Sequence, residues 1–475
     1  MPQPATKPDP SGAKVIPIRE EPLYKPEKKI YARSVSGTFA NWRWAMVWLT
    51  QAIFYGACWL PWNGRQAVLF DLVERKFYIF SLVFWPQDVF YLAVLLIISA
   101  LALFLFTAVA GRLFCGYACP QTVYTEIFMW VEKLFEGERW ARMKLDAAPA
   151  SGAKLARKAG KHAVWAVIAL WTGFTFVGYF TPVKTLAAAF LSWQLGPWEA
   201  FWIFFYAFAT WGNAGFMREQ VCKYMCPYAR FQGVMFDPDT LIVTYDAERG
   251  EPRGARSKKA DHKADGKGDC VDCGICVQVC PTGIDIRAGL QYECIGCSAC
   301  IDACDQVMDK MSYPRGLIRY STEHALAQHW GRREIVRHLL RPRTLVYGAA
   351  LSGIIVAAAW GLAQRMPLKV DVIRDRATLA REVEGGLIEN VFRLQIMNLA
   401  EAPRRYSLTV TGLSGIQIAT DAIVEMPAAA TQAVTVRVRA EPDSGRRGSN
   451  PIHFEVRALN HDEVFVREKA CFLLP

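Results

Sequence analysis

Eight cysteines in one short stretch carry the clearest chemistry. Cys270, Cys273, Cys276 and Cys280 are followed by Pro281, which reads C-x-x-C-x-x-C-x-x-x-C-P, and the cysteine spacing recurs at Cys294, Cys297, Cys300 and Cys304. In the bacterial ferredoxin run, three thiolates grip one cubane [4Fe–4S] cluster and the fourth ligates the other. The ligand sets should therefore cross. Cluster one takes Cys270, Cys273, Cys276 and Cys304; cluster two takes Cys294, Cys297, Cys300 and Cys280. Gly274 and Gly296 relieve crowding where backbone wraps a cube. The second run ends in Cys304-Asp305, which keeps the ligand count and puts a carboxylate beside a cluster. Zinc ribbons use separate C-x-x-C pairs, and continuous triplets do not suit them. Two adjacent cubes suit one-electron relay and bring no substrate pocket of their own.

A second repeat is Cys115-Gly116-Tyr117-Ala118-Cys119-Pro120 and Cys222-Lys223-Tyr224-Met225-Cys226-Pro227. Both read C-x-x-x-C-P, both follow an apolar stretch, and both have Tyr two residues before the second cysteine. On a helix, i and i+4 share a face. Proline disfavours the α region for the residue before it, so each helix should end near its second cysteine. Three readings compete for Cys115, Cys119, Cys222 and Cys226: small buried residues, a redox thiol pair, or a soft metal site, since thiolates favour Cu(I), zinc or iron–sulphur. The recurrence of one motif argues against packing alone. Met225 is a weaker thioether candidate. The four thiols form one site only if their two segments pack together. Cys58 and Cys471 stand alone, and the 7 His show no ligand spacing.

Positioning these motifs falls to apolar segments. The 475 residues are 52% hydrophobic and 13% aromatic, with 16 Trp, values at home in a protein partly in lipid. Five stretches lack Asp, Glu, Lys and Arg over roughly the 18 residues needed to cross the hydrocarbon: 44–62, 89–110, 163–180, 200–217 and 345–363. The 77–85 stretch is too short to span and is read as interfacial. Lys and Arg number 8 up to Arg43 and 9 in 111–161, against 3 in 63–87 and Lys184 alone in 181–198. Positive charge in short loops marks the cytoplasmic side. The N-terminus, 111–161 and 218–343 are therefore cytoplasmic, and everything after Arg365 faces the other side. The net charge of +11 is largely this bias, which leaves no need for nucleic acid as a partner.

The chain divides into a disordered basic arm (1–43), a four-span membrane unit (44–248), a basic linker (249–268), a double ferredoxin-like α+β insert (269–312), a connector (313–343), a fifth span (344–364) and a C-terminal domain (365–475). The linker is read as a solvated tether. Alternation in Arg393-Leu394-Gln395-Ile396, Ser407-Leu408-Thr409-Val410 and Val434-Thr435-Val436-Arg437-Val438 predicts an immunoglobulin-like β-sandwich serving as a binding or assembly module. No G-x-G-x-x-G on a strand–helix unit is present, so a tightly bound nicotinamide is not expected.

Together these features resemble the FixG/CcoG family of membrane iron–sulphur accessory proteins in biogenesis of cbb3-type haem–copper oxidases. The resemblance covers nearly the whole chain, including Phe84-Trp85-Pro86-Gln87-Asp88 and the stretch from Cys115 to Gln121. It implies a bacterial inner-membrane protein with a periplasmic C-terminal domain. It also implies a cupric reductase that makes Cu(I) for the oxidase copper centre, with Cys115, Cys119, Cys222 and Cys226 as catalytic and copper-site candidates. Copper would be substrate or transient ligand. Expected partners are the bilayer, oxidase assembly factors or copper carriers, an unidentified electron donor and a second copy in a homodimer. The competing functions are a quinol-oxidising membrane ferredoxin subunit and a non-catalytic assembly scaffold.

Overall fold

A computed structural model describes residues 29–258, 266–375 and 380–475. The disordered-arm expectation falls, for residues 1–28, outside the described residues, as does 259–265 of the linker. The rest of the arm is anchored. Lys29 and Tyr31 bond Asp146 at 2.9 and 2.7 Å, and the first helix already begins at Thr38–Ala57. Its N-terminal amides are met by the Asp302 carboxylate, which accepts from Phe39 and Ala40 at 3.1 and 2.7 Å. A carboxylate suits a helix N-terminus, so the arm is held by the ferredoxin-like domain and the boundary at 43 is wrong.

The remaining long helices are Val89–Ala110, Gly152–Val177, Pro197–Gly212 and Pro342–Ala363. Each predicted apolar stretch is mainly helical, although the first leaves its helix after Ala57 and ends in a strand, Pro61–Trp62, paired with Arg65–Gln66. By length and composition, two described helices can cross a membrane, Pro86–Ala110 and Pro342–Ala363, and none of their apolar window is buried in the protein. The helix at Gly152–Val177 begins with a Ser151 cap that accepts from Lys154 N–H at 3.2 Å. It packs tightly on Pro197–Gly212, because a Cβ at Gly173 would collide with the Ile203 carbonyl oxygen. Small residues let backbones approach in this way. At the inner end, buried Glu132 binds Arg142 and Arg218 at 3.0 Å each and Lys161 at 3.5 Å.

The 77–85 stretch is paired and partly buried. It forms strands: Val68–Asp71, Lys76–Ile79 and Leu82–Phe84 make an antiparallel sheet. Val83 and Trp85 then bury against Met397 and Leu399 of the C-terminal domain. The reason is that its apolar side chains find a protein partner.

That domain is a sandwich. One sheet runs Gln417–Ile418, Thr431–Ala440, Leu387–Asn398, Leu368–Arg374; the other runs Ile423–Met426, Arg404–Thr411, Gly448–Ala458, His461–Leu474. Alternate residues turn inward. Phe392, Leu394 and Ile396 meet Tyr406, Leu408 and Phe454 between the sheets. Asp88, at the start of Val89–Ala110, ties the domain down through Arg365 and through Lys369 at 2.5 Å. Asp88→Asn should cost about 2 kcal/mol at this joint. The expected readout is tryptic cleavage at Arg365 that is about thirtyfold faster; an unchanged rate would count against the joint.

Candidate iron–sulphur and thiol sites

The ferredoxin-like unit is larger than its cysteine runs. Ile242–Tyr245 pairs antiparallel with Ile318–Ser321, so the unit spans 242–321 and the boundaries 269–312 are too narrow. The strands had no turn signal linking them, since 72 residues of cysteine-bearing chain separate Tyr245 from Ile318. The linker is not a free tether where described: Arg249 binds Asp269 at 2.6 Å, and Arg256 donates to Tyr313 at 3.1 Å and the Gly268 carbonyl at 2.7 Å.

Each cysteine run turns the same way. Around Cys273, Asp272 and Gly274 have φ of 50° and 61°; around Cys297, Gly296 and Ser298 have 67° and 59°. This pair of left-handed residues curls each chain around a hollow. Cys270, Cys273, Cys276 and Cys304 line one cavity with Tyr245 and Arg287. Cys280, Cys294, Cys297 and Cys300 line a second with Thr282 and Ile286, and Cys276 borders it too. Four thiols around each of two apolar hollows fit a pair of cubanes. Burial pushes Cys276 up to about 11, and Cys294 and Cys304 up to about 12. Cluster binding at these thiols would release their protons. Among the described residues, no three His, Cys, Asp or Glu converge on a single-ion site. Asp305, beside Cys304, accepts from the Gly316 amide at 2.9 Å, and burial raises its carboxyl.

The two C-x-x-x-C-P motifs come together. Gly111, at φ 54°, breaks the Val89–Ala110 helix, and Leu113–Tyr117 adds one turn. Cys119 is extended, and Pro120 opens a new helix, Pro120–Glu136. The second motif mirrors this. A π-helical turn, Val221–Met225, ends where the Cys226 amide donates to Val221 O at 2.8 Å, and Pro227 opens Pro227–Met235. The first and second cysteines therefore do not share one continuous helix, because each proline starts a helix as well as ending one. Gln121 joins the motifs by donating to the Asn213 and Arg218 carbonyls at 2.9 and 3.1 Å. Cys115 donates to Gln232 Oε1 at 3.4 Å. Cys222 is pushed up to about 12 by burial and by Cys119, Cys115 and Cys226; Cys115 reaches about 11. Met225 is 56% exposed, outside this group.

Sequence reasoning missed how closely this thiol group meets the second cavity. A Cβ at Gly116 would stand 2.9 Å from Cys297 Cα, Cys297 N and Gly296 C. Cys115 and Cys222 pack against Ile295 and Cys297. Tyr320 donates to the Gly296 carbonyl at 2.8 Å, and Ser298 donates to Tyr320. The glycine between two chemical motifs was the available signal. Cys58 is buried just past the first helix, and Cys471 is exposed.

Two thiol-lined hollows in an α+β unit, beside apolar helices and a β-sandwich, define an iron–sulphur protein of the electron-transfer class. Family comparison agrees: residues 217–323 match a 4Fe-4S dicluster domain, 92–139 a 4Fe-4S binding domain, and 358–475 the IG-like fold at the C-terminal of FixG. The chain is 39% identical to the nitrogen fixation protein FixG of Rhizobium meliloti over 423 residues, 82% of this chain and 81% of that one. It is also 39% identical to protein RdxA of Cereibacter sphaeroides over 441 residues, 91% of this chain and 92% of that one. A FixG-related protein from Vibrio parahaemolyticus aligns over 22% of this chain and 95% of its own, at 21% identity and a TM-score of 0.21. The chain belongs to the FixG family.

Proposed function

We propose that this chain moves electrons singly from a cytoplasmic dicluster domain to the thiols Cys115, Cys119, Cys222 and Cys226, and there reduces Cu(II) to Cu(I). The observation that carries the reading is the backbone contact at Gly116, which seats the thiol group directly on the Cys297 loop. Cys270, Cys273, Cys276 and Cys304 would hold one [4Fe–4S] cluster, and Cys280, Cys294, Cys297 and Cys300 the other. Bound there, the clusters supply one-electron transfer. The protein's own groups do the rest. Asp302 clamps the first helix to the cluster unit, and Gln121 holds the two thiol motifs together. Thiolates prefer Cu(I) over Cu(II), so passing contact with these thiols favours the reduced ion. The copper step is balanced by one electron per Cu(II), drawn from an external reductant through the chain. Charge bias in the loops supports five crossings of a bacterial inner membrane, with the dicluster unit inside and the sandwich outside. Cu(I) would then pass to copper carriers or assembly factors of a cbb3-type oxidase.

The test is anaerobic. Protein reduced with dithionite and desalted is mixed with Cu(II) and followed by electron paramagnetic resonance. The Cu(II) signal should vanish as the clusters reoxidise, and Cys222→Ser should lose about 10²-fold in rate. A Cu(II) signal that persists beside reduced clusters would sink the proposal. The 92–139 match to a 4Fe-4S binding domain favours a second reading, in which the four membrane-boundary thiols hold a further cluster. Two cubanes require about eight iron atoms per chain and three require about twelve, so iron and labile-sulphide analysis separates them.

A further inference from the structure

Two arginines are sealed inside the contact between the dicluster unit and the helices. Arg112 is 5% exposed and Arg43 is 7% exposed. Arg112 donates to the Ala229 carbonyl, has no carboxylate partner among the described residues, and leaves its Nε without an acceptor. Arg43 forms one long ion pair, with Glu126 at 3.8 Å, and its Nε is also unmet. A guanidinium stays charged in a protein, and a buried charge without a counter-charge is strongly unfavourable. The fold must place negative charge beside Arg112, and Glu126 meets Arg43 only at long range.

Their surroundings say which charge. Arg112 lines a hollow with Cys294 and Gly296, and its carbonyl carbon and oxygen would stand 3.2 Å from a Cβ at Gly296. Arg43 lines a small cavity with Cys222 and Cys297. All of these cysteines belong to the second hollow or to the thiol group next to it. The first hollow is different. Its Arg287 is already neutralised by Asp285 at 2.8 Å and Asp272 at 2.5 Å, and Asp305 adds a carboxylate beside Cys304.

We infer that Arg43 and Arg112 make the cluster held by Cys280, Cys294, Cys297 and Cys300 the higher-potential member of the pair, so that an electron entering the dicluster unit settles beside the membrane-boundary thiols. The inference rests on the cluster assignment proposed above and not on the copper chemistry. An added electron makes a cluster more negative, and a fixed cation nearby stabilises that form more than the oxidised one.

The experiment is a redox titration of the full-length protein in detergent, without copper, followed by electron paramagnetic resonance. Arg112→Gln and Arg43→Gln should each lower the reduction equilibrium constant of one cluster about tenfold, or about 59 mV for a one-electron couple. The other midpoint should stay in place, and Arg112→Lys should restore most of the change. Iron and labile sulphide at wild-type levels show that both clusters are intact. Unchanged midpoints, or an equal fall in both, would overturn the inference. Should Arg112→Gln fail to assemble, Arg43→Gln decides by the same criteria. Because copper is absent, failure here leaves cupric reduction standing, and failure of cupric reduction leaves these midpoints as they are.

Discussion

Gly116→Val should leave both clusters in place and slow Cu(II) reduction about 10²-fold. The position has no room for a side chain. Even a bare Cβ would stand 2.9 Å from three backbone atoms of Gly296 and Cys297. Backbone cannot swing aside as a flexible side chain can, so the Leu113–Tyr117 turn must back away from the loop. Overpacking of this kind costs about 1–3 kcal/mol, which a folded protein survives. A retreat on the order of 1 Å by the receiving group is enough for a loss of about two orders of magnitude in rate. Gly233→Ala is the control, since nothing lies within 4 Å of its Cβ position; in the Pro227–Met235 helix it should be neutral or slightly stabilising. The measurement is stopped-flow loss of Cu(II) with iron content checked alongside. A wild-type rate in Gly116→Val with intact clusters would mean that electrons do not leave through this contact.

The second large effect is on stability. Glu132→Gln should destabilise the protein by about 3–5 kcal/mol at neutral pH, because it strips the carboxylate from buried Arg142 and Arg218 at once, while Lys161 keeps Glu136 at 2.7 Å. Glu132 is 1% exposed and ties Pro120–Glu136 to Arg142, Lys161 and Arg218 on three other segments. Burial alone would raise its pKa. The nearby Arg218, Lys161 and Arg142 outweigh it and bring the carboxyl from 4.5 down to about 2. A folded-state pKa below the unfolded one stabilises the native state above the unfolded value. That stability, about 3 kcal/mol from the shift, should fade as pH falls from about 4.5 toward about 2. Wild type and Glu132→Gln should therefore differ in detergent-denaturation midpoint at pH 7 and converge near pH 2. Equal midpoints at pH 7 would show the network to be unimportant.

The cluster chemistry was legible because ligand spacing is a local property. Three thiolates within seven residues can wrap one cube whatever the rest of the chain does, and alternation in 434–438 marks a half-buried strand for the same local reason. Apolar length was legible too, since it depends only on consecutive residues. In the 77–85 stretch the contact of Val83 and Trp85 with Met397 and Leu399 was not legible, because those partners lie more than 300 positions further on.

Sequence by itself determined that this chain holds twin cubane-binding runs, a repeated C-x-x-x-C-P, apolar helices and a β-sandwich. Only the tertiary structure decided that Cys115 and Cys222 pack against the group around Ile295 and Cys297, that Gly116 rests on the Cys297 loop, and that Arg43 and Arg112 are shut in beside Cys297 and Cys294. Periodicity and spacing report on neighbours along the chain. Charge compensation and electron transfer depend on neighbours in space, and those exist only after distant segments have packed.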